Sequence, residues 1–453
     1  MPPQKKTNSP PRCKKSKRVF FRLLNDEWDA SVMNGAPETK MKNTAVSSTQ
    51  TQYAPAFDES TSHPLRILLI LSALMAFASI STDLYLPAMP EMARNLHASD
   101  GEIELTVSGF LVGFSLGQLV WGVISDRWGR RLPITLGLVL FIIGSIGCSM
   151  SHSAVALIAW RIVQAIGACA NVVLARAMVR DLYAGHRAAS MMSTLITIMA
   201  VAPLIGPSVG GQILIWSSWR AIFWTLVVVG ILTLLSLIWL PETHPVERRN
   251  QDSLIKAFLR YGELLANGRI MGYAGVGALF YGAIYAYIAG TPFAYITYYH
   301  VPPHWYGILF GVGIAGIMAT NMINARIVRR YRSDAILTYG CIGAALAACV
   351  LFIDGLSDFG GLWGLVIPLF VIVSSTGFVV ANAIAGALHV APERAGSLSA
   401  FIGATQYGTG IVGSGLVGFF ADGTPVPMVS VIAALCIGCA ACALFILKKN
   451  KGA

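Results

Sequence analysis

Residues 109–133, GFLVGFSLGQLVWGVISDRWGRRLP, decide the fold of this chain. Their first part, 109–124, is apolar and rich in glycine. Counted with its polar ends, it is about long enough to cross the hydrocarbon core of a bilayer as a helix. A short, highly charged turn follows, and Pro133 opens the next apolar run. The stretch therefore predicts two membrane helices joined by a tight, charged loop.

The whole chain has the composition of a polytopic membrane protein. Of its 453 residues, 55% are hydrophobic and 12% are charged, which lies outside the range of soluble domains. Runs of this length can cross a bilayer only as helices, so the predicted fold class is an all-α polytopic membrane protein with twelve transmembrane helices. The twelve apolar runs are 66–88, 102–125, 133–151, 154–177, 190–214, 219–240, 270–298, 304–328, 335–354, 362–388, 396–420 and 427–447.

The longest internal polar segment divides these runs into six and six. We therefore expect two six-helix bundles, 64–241 and 270–447, joined by a cytoplasmic linker loop, 242–269. Residues 1–63 are polar and lysine-rich and are expected to form a disordered cytoplasmic tail, and 448–453 a short cytoplasmic end.

The second half weakly repeats the first. Placing Gly109 on Gly307 also aligns Gly113 with Gly311, which favours a duplicated six-helix unit.

The basic residues indicate how the chain is oriented. A formal charge of +11 would suggest nucleic acid as the partner of a soluble protein, but here Lys and Arg recur in alternate loops and at both ends. This alternation predicts that both termini are cytoplasmic and that no nucleic acid is bound. Cys436, Cys439 and Cys442 have the spacing of a metal site. They follow one another along an apolar helix, so we interpret them as packing residues and predict no metal and no cofactor.

The charged turn resembles the signature between the second and third helices of the major facilitator superfamily of secondary transporters, G-x-x-x-D-R-x-G-R-[RK]. A basic turn that only obeys the charge rule for membrane topology would explain its arginines, but not its aspartate or glycines. The resemblance implies the fold of that superfamily. It also implies that the turn latches the two halves together on the cytoplasmic side when the protein faces outward. The matching residues are Gly122, Asp126, Arg127, Gly129, Arg130 and Arg131.

The fifth predicted helix carries a second resemblance. Gly206, Pro207, Gly210 and Gly211 resemble a motif of the exporting, proton-antiporting branch of the superfamily. Proline removes a backbone hydrogen bond and glycine thins the helix, so an ordinary kink is the alternative interpretation.

Two more stretches narrow the resemblance to one group within the superfamily. WRIVQAIGA, which contains Arg161 and Gln164, resembles the fourth-helix motif, in which a buried arginine belongs to the proton-linked mechanism. STDLYLPAMP, which starts at Ser81, resembles the Bcr/CflA group of drug efflux proteins, as do TPF at residues 291–293 and the surroundings of Asn382 and Gln406.

Two ionisable residues inside the runs are the candidates for proton coupling. An ionisable group in a span costs about 2.5–3.5 kcal/mol even on the lenient insertion scale, so it requires a role. Asp83 and Arg161 are expected at similar depth in the outer half of the membrane. We predict that Asp83 is the proton acceptor and that Arg161 tunes it. A fixed structural role, or a static ion pair between the two, is the alternative.

Polar-tipped and aromatic residues on several runs are candidates for a substrate cavity. Such a lining suits amphipathic, drug-like molecules. For each residue taken singly, helix packing is the favoured interpretation, so the pocket is predicted from the set as a whole. The candidates are Tyr85, Gln164, Asn171, Tyr281, Tyr285, Phe293, Asn382, Gln406 and Tyr407.

These features together predict a transporter of the bacterial inner membrane that functions as a monomer and exports amphipathic molecules in exchange for protons. The chain contains no G-x-x-x-x-G-K-[ST] loop for ATP, and we do not predict an enzyme. Export or uptake of one particular metabolite is the first alternative, and a non-transporting membrane sensor is the second.

Overall fold

The computed structural model of the chain describes residues 64–183, 185–246, 249, 267–391 and 395–451. Within these ranges the secondary structure is helical, without a β-strand, so the predicted all-α class is confirmed. The expected tail, 1–63, lies outside the described residues, as does most of the linker loop.

The first half consists of seven helices that make six spans. The first span is broken by a 3₁₀ turn at Leu86–Ala88, because Pro87 and Pro90 supply no backbone N–H to a continuous helix. Asp83 is consequently the last residue of a helix that ends inside the span. The helices are α1 (Pro64–Asp83), α2 (Met89–Asn95), α3 (Asp100–Trp128), α4 (Arg131–Ser149), α5 (Ala154–Leu182), α6 (Gly185–Trp216) and α7 (Trp219–Ser236).

The second half also makes six spans. A π-helical segment, Phe293–Tyr298, extends its first helix, and its fourth span is divided at Ser375 into two helices. The helices are α8 (Gly268–Pro292), α9 (Pro303–Ile327), α10 (Ser333–Ser357), α11 (Gly361–Ser374), α12 (Thr376–Val390), α13 (Ala395–Phe419) and α14 (Val426–Lys451).

Eleven helical segments of the described chain are long and apolar enough to cross a membrane. The predicted run 396–420 forms α13, which is not among the eleven, because glycines and polar residues such as Thr405 and Gln406 lower its mean hydropathy. α13 nevertheless packs lengthwise against both α8 and α3, as a span does. The architecture is therefore that of two six-helix bundles.

Glycines allow the helices within the first half to approach closely. A Cβ atom added at Gly113 would lie 2.2 Å from the carbonyl oxygen of Ile162 in α5, and one at Gly117 would lie 2.8 Å from Cβ of Cys169. Side chains at these positions would force α3 and α5 apart, which explains the row of glycines along α3.

The two halves meet along α3 with α13 and along α6 with α9. At one end of the molecule, which we call the closed end, Gly101 contacts Gly418 and Gly211 contacts Pro303 across the boundary. Further toward the middle, the Oγ atoms of Ser108 and Ser414 are 2.7 Å apart. These contacts form a seam of small residues between the halves.

The seam corrects the internal alignment proposed from the sequence. Gly307 and Gly311 of α9 face α6 of the other half, whereas Gly109 and Gly113 face α5 of their own half. The alignment of Gly109 with Gly307 is therefore wrong in register, because α9 carries glycines on two faces. Gly313 and Gly316, which approach α11, are the glycines of α9 that face their own half.

Candidate functional site

Arg161 lies at the centre of the first half and is fully buried. Its guanidinium group is stacked between two aromatic rings, with Cζ 4.2 Å from the ring centre of Tyr85 and 4.4 Å from that of Phe110. Nη1 donates a hydrogen bond of 2.7 Å to Oε1 of Gln164, whose Nε2 in turn donates to Ser145 at 2.8 Å. The cation is thus held in one orientation by residues of four spans.

Arg161 also caps the broken helix of the first span. Nη1 donates a hydrogen bond of 2.8 Å to the carbonyl oxygen of Ser81, in the last turn of α1. The last carbonyls of a helix have no partner inside it, and a cation there is favoured by the helix dipole. Arg161 therefore stabilises the break that leaves Asp83 at a helix end.

Asp83 is buried, with 5% of its surface exposed. Among the described residues no ion pair within 4.0 Å joins Asp83 to Arg161, although the two are close enough to interact electrostatically. The negative end of the α1 dipole and burial favour the neutral acid, whereas the nearby guanidinium favours the carboxylate. The alternative of a static ion pair does not describe this geometry.

Asp83 lies at the boundary between the two halves. Its own half covers it with Gly206 of α6, where an added Cβ would lie 3.2 Å from Cβ of Asp83. From the other half, Tyr285 and Tyr287 of α8 and Tyr306 of α9 lie within its electrostatic range. The carboxyl group is therefore covered by protein, not exposed to lipid, and it lies close to the second half.

Three of the predicted cavity residues come together as an aromatic cluster. The ring centres of Tyr281, Tyr285 and Tyr407 lie 5.7–6.2 Å from one another, and all three side chains are half-buried. Phe114 of the first half joins them, with its ring centre 4.9 Å from that of Tyr407. Gln406, with Nε2 unpartnered, lies next to this cluster against Gly277.

The other predicted cavity residues lie elsewhere. Tyr85 and Gln164 hold Arg161 inside the first bundle, where Asn171 is also fully buried. Asn382 lies inside the second bundle, where its Nδ2 donates to Oδ1 of Asn324 at 2.8 Å. Phe293 is buried at the closed end. The nine residues are therefore not brought together into one pocket.

The fifth-helix motif serves two contacts. Gly210 faces the first span, where an added Cβ would clash with the carbonyl oxygen of Leu84. Gly211 faces the second half, where an added Cβ would lie 2.8 Å from the carbonyl oxygen of Pro303. Pro207 lies inside α6, about one helical turn before these two glycines. The motif thus lets α6 pack tightly against both halves.

The charged turn after α3 forms a network within the first half. Nη1 of Arg130 donates to Oδ1 of Asp126 at 2.7 Å, and its Nε donates to Oδ2 of Asp181 at 2.8 Å. Gly129 has φ of +86°, and a side chain there would meet the carboxylate of Glu242. Asp126 is half-exposed, and Arg127 and Arg131 are exposed.

Glu242, which follows the sixth span, caps the start of α4. Its carboxylate accepts hydrogen bonds from the backbone N–H groups of Arg130 at 2.8 Å and Arg131 at 3.1 Å. Burial opposes ionisation, but these bonds and those from the backbone N–H groups of His244 and Thr243 hold the pKa of Glu242 below its usual value. The turn and the segment after the sixth span are thereby tied together.

Several residues around the site were not predicted from the sequence. Tyr287 and Tyr306 belong to the surface that faces Asp83, and Arg176 of α5 is exposed within electrostatic range of Tyr281. Glu104 is buried in α3, one turn from Asp100. Its burial has no signal in the sequence, because Glu104 lies only two residues inside the predicted run 102–125, where a carboxylate is expected to reach water.

Comparisons with known proteins agree with the fold described above. Residues 69–414 match the family described as Major Facilitator Superfamily. The chain is 35% identical over 367 residues to an uncharacterized MFS-type transporter, YdgK, of Bacillus subtilis, which covers 80% of this chain and 91% of the relative. It is 28% identical over 384 residues to a Haemophilus influenzae protein named bicyclomycin resistance protein homolog, covering 84% and 96%.

A solved structure shows the same fold. The nucleoside transporter NupG matches 85% of this chain and 98% of its own with a TM-score of 0.70 at 15% sequence identity. At this identity the likeness concerns the fold alone.

Proposed function

Since the chain belongs to the Major Facilitator Superfamily, we propose that it exports small amphipathic, drug-like molecules in exchange for protons by alternating access. The observation that carries the proposal is the placement of Asp83, a buried carboxyl group at a helix break within electrostatic range of the other half of the molecule. A relative named for bicyclomycin resistance supports the direction and class of transport.

Asp83 is the proton acceptor in this proposal. With the halves together, burial and the helix end favour the neutral acid. When the halves separate, water and the field of Arg161 favour the carboxylate. Because Arg161 is fixed by Tyr85, Phe110 and Gln164, the change in the surroundings of Asp83 comes from the second half. Alternation between the two forms would then bind and release one proton.

The substrate binds at the cluster of Phe114, Tyr281, Tyr285 and Tyr407. Aromatic faces with hydroxyl tips accommodate flat apolar bodies that carry a few hydrogen-bonding groups. The cluster spans both halves, so its shape changes when the halves move. Arg176 is exposed near it, which favours neutral or acidic molecules over cations.

The sidedness follows from the charged loops. We place the chain as a monomer in a bacterial inner membrane, with both termini and the Asp126–Arg131 turn in the cytoplasm. The closed end then faces outward, and the structure represents a form shut to the outside. Asp126 pairs with Arg130 of its own half in this form, and it is free to reach the second half in the opposite one.

Vesicle transport tests the proposal. Proteoliposomes with a pH gradient and a panel of amphipathic antibiotics and metabolites should show gradient-driven uptake that an uncoupler abolishes. Asp83→Asn should remove the response to the gradient but retain exchange of labelled for unlabelled substrate. Asp358→Asn, a change at an exposed carboxylate after α10, is the control and should transport normally.

Three outcomes of the same assay would contradict the proposed function. Full gradient-driven transport by Asp83→Asn would remove this residue from coupling. Movement of one metabolite and none of the antibiotics would replace drug efflux by specific metabolite transport. Absence of any transported compound would argue for a protein that senses rather than transports.

A further inference from the structure

We infer that Glu104 is a second proton-binding site, which takes up a proton when the closed end shuts and releases it to the same side when that end opens. Glu104 would thus make the opening of this end depend on pH without carrying protons across the membrane. The inference rests on the proposed alternating access, but its test does not depend on transport.

Glu104 is a buried acid without a charge partner. It lies one helical turn after Asp100 on the same face of α3, and 4% of its surface is exposed. Its Oε2 atom accepts no hydrogen bond, and no ion pair involves it within the described part of the chain. An ionised carboxylate in this place would be poorly solvated and would have no cation to neutralise it.

Contacts between the two halves cover Glu104. A Cβ atom added at Gly418 of α13 would lie 3.3 Å from Cβ of Glu104 and 2.8 Å from the carbonyl oxygen of Gly101. One turn further along α3, Oγ of Ser108 is 2.7 Å from Oγ of Ser414. Glu104 therefore lies between two contacts of the seam and can reach water freely only when the seam parts.

Glu104 lines a cavity of about 20 Å³, which is large enough for one water molecule. The second half contributes apolar and glycine residues of α8 and α13 to its wall, together with Thr424 and its neighbouring prolines. Among the described residues, the only other titratable group that lines it is Asp100, which also belongs to α3 and is half-buried. Asp422, in the turn before α14, is exposed and accepts hydrogen bonds from Thr424.

No cation therefore faces Glu104 from any described element around the cavity, and its charged neighbour has the same sign. The closed form holds Glu104 as the neutral acid, with the cavity providing room for a water that accepts its proton's hydrogen bond. Opening exposes the group to bulk water, where the carboxylate is the stable form. One proton is bound on closing, so the ratio of the two forms can change by up to about tenfold per pH unit.

Distances across the closed end test this inference. The labels are spin labels on p-acetylphenylalanine at the positions of Trp216 and Phe420, two exposed aromatic residues in different halves. The distance between the two labels is measured by double electron–electron resonance in lipid nanodiscs from about pH 6 to about pH 9. This range covers the raised pKa values documented for buried carboxyl groups. The wild-type chain should shift toward longer distances as pH rises.

Asp83 also exchanges a proton in the proposed cycle, so Asp83→Asn is the reference protein, and its distance should still shift with pH. Glu104→Gln added to Asp83→Asn should keep the short distance at every pH. A pH response of this double variant equal to that of Asp83→Asn would overturn the inference. If Glu104→Gln does not fold, Glu104→Asp decides. A pH response with a displaced midpoint supports the site, and an unchanged midpoint contradicts it.

Transport separates this site from the coupling site. In proteoliposomes Glu104→Gln should leave the number of protons moved per substrate unchanged, and a fall by one would contradict a gating role. If no pH gradient drives transport while Glu104→Gln still abolishes the distance change, the proposed antiport fails and the proton site stands.

Discussion

Gly211→Ala should open the closed end of the molecule. The added methyl group would lie 2.8 Å from the carbonyl oxygen of Pro303 and 3.0 Å from Cα of His304, both in the backbone of the second half. Backbone atoms cannot rotate away as a flexible side chain can, so α6 and α9 must separate to accommodate it.

The magnitude follows from the cost of overpacking. Inserting a methyl group into a tightly packed contact costs about 1–3 kcal/mol. This cost falls only on the closed form, because the contact does not exist once the halves part. The ratio of closed to open forms should therefore fall by about 5- to 150-fold, since 1–3 kcal/mol corresponds to that range.

The assay measures the distance between spin labels at Trp216 and Phe420 in nanodiscs at one fixed pH. Gly343→Ala is the matched control, because Gly343 also lies inside a helix but nothing lies within 4 Å of an added Cβ. Both substitutions stabilise the helical conformation by about 1 kcal/mol, because alanine favours a helix more than glycine does. Only the clash with the second half therefore distinguishes the two variants.

Unchanged short distances in Gly211→Ala, in a protein that folds as well as Gly343→Ala, would refute the reasoning. They would show that the seam yields locally, and that the glycine is not what sets the separation of the halves.

Three further predictions concern separate parts of the molecule. Tyr407→Ala should weaken substrate binding by roughly 2- to 13-fold per lost aromatic contact while Tyr407→Phe retains it, as measured by equilibrium binding of a transported compound. Asn382→Ala should lower the free energy of unfolding by about 1–3 kcal/mol, because it leaves the buried Oδ1 of Asn324 without its donor, and the melting temperature would show this. Glu242 stabilises the fold fully above the ordinary carboxyl pKa of 4.5, and this stabilisation is lost as pH falls through the lowered pKa of the folded state. Glu242→Gln should therefore reduce the fall in melting temperature at acid pH. An unchanged fall would contradict the capping role of Glu242.

The sequence predicted the helical architecture well because the bilayer imposes it. Apolar runs of sufficient length must form helices there, so the twelve runs correspond to the spans of the structure with end shifts of several residues. The one segment that falls short of an apolar span, α13, is helical because it packs between α8 and α3. The hydropathy of α13 alone did not indicate that it packs against these two helices.

The site was harder to predict, because the sequence shows which helix carries a residue but not which neighbour it faces. Asp83 and Arg161 are close in space, as expected, yet Arg161 bonds the carbonyl of Ser81 and not the carboxylate. Asn382 pairs with Asn324 because helix rotation turns it inward. Which neighbour a given side of a helix contacts depends on the crossing angles between distant spans. Composition and periodicity do not determine these angles.

The seam also determines which steps of a transport cycle can respond to the membrane potential. Apart from Glu104, the contacts described across the seam are made by glycine, alanine, serine, proline and leucine residues and by the backbone of His304, and none of these contacting groups carries a formal charge. Closing these surfaces moves no charge through the electric field and so performs no electrical work. Voltage, worth about 2.3 kcal/mol per elementary charge for each 100 mV, can act only where an acid such as Asp83 or the cargo is ionised during the movement.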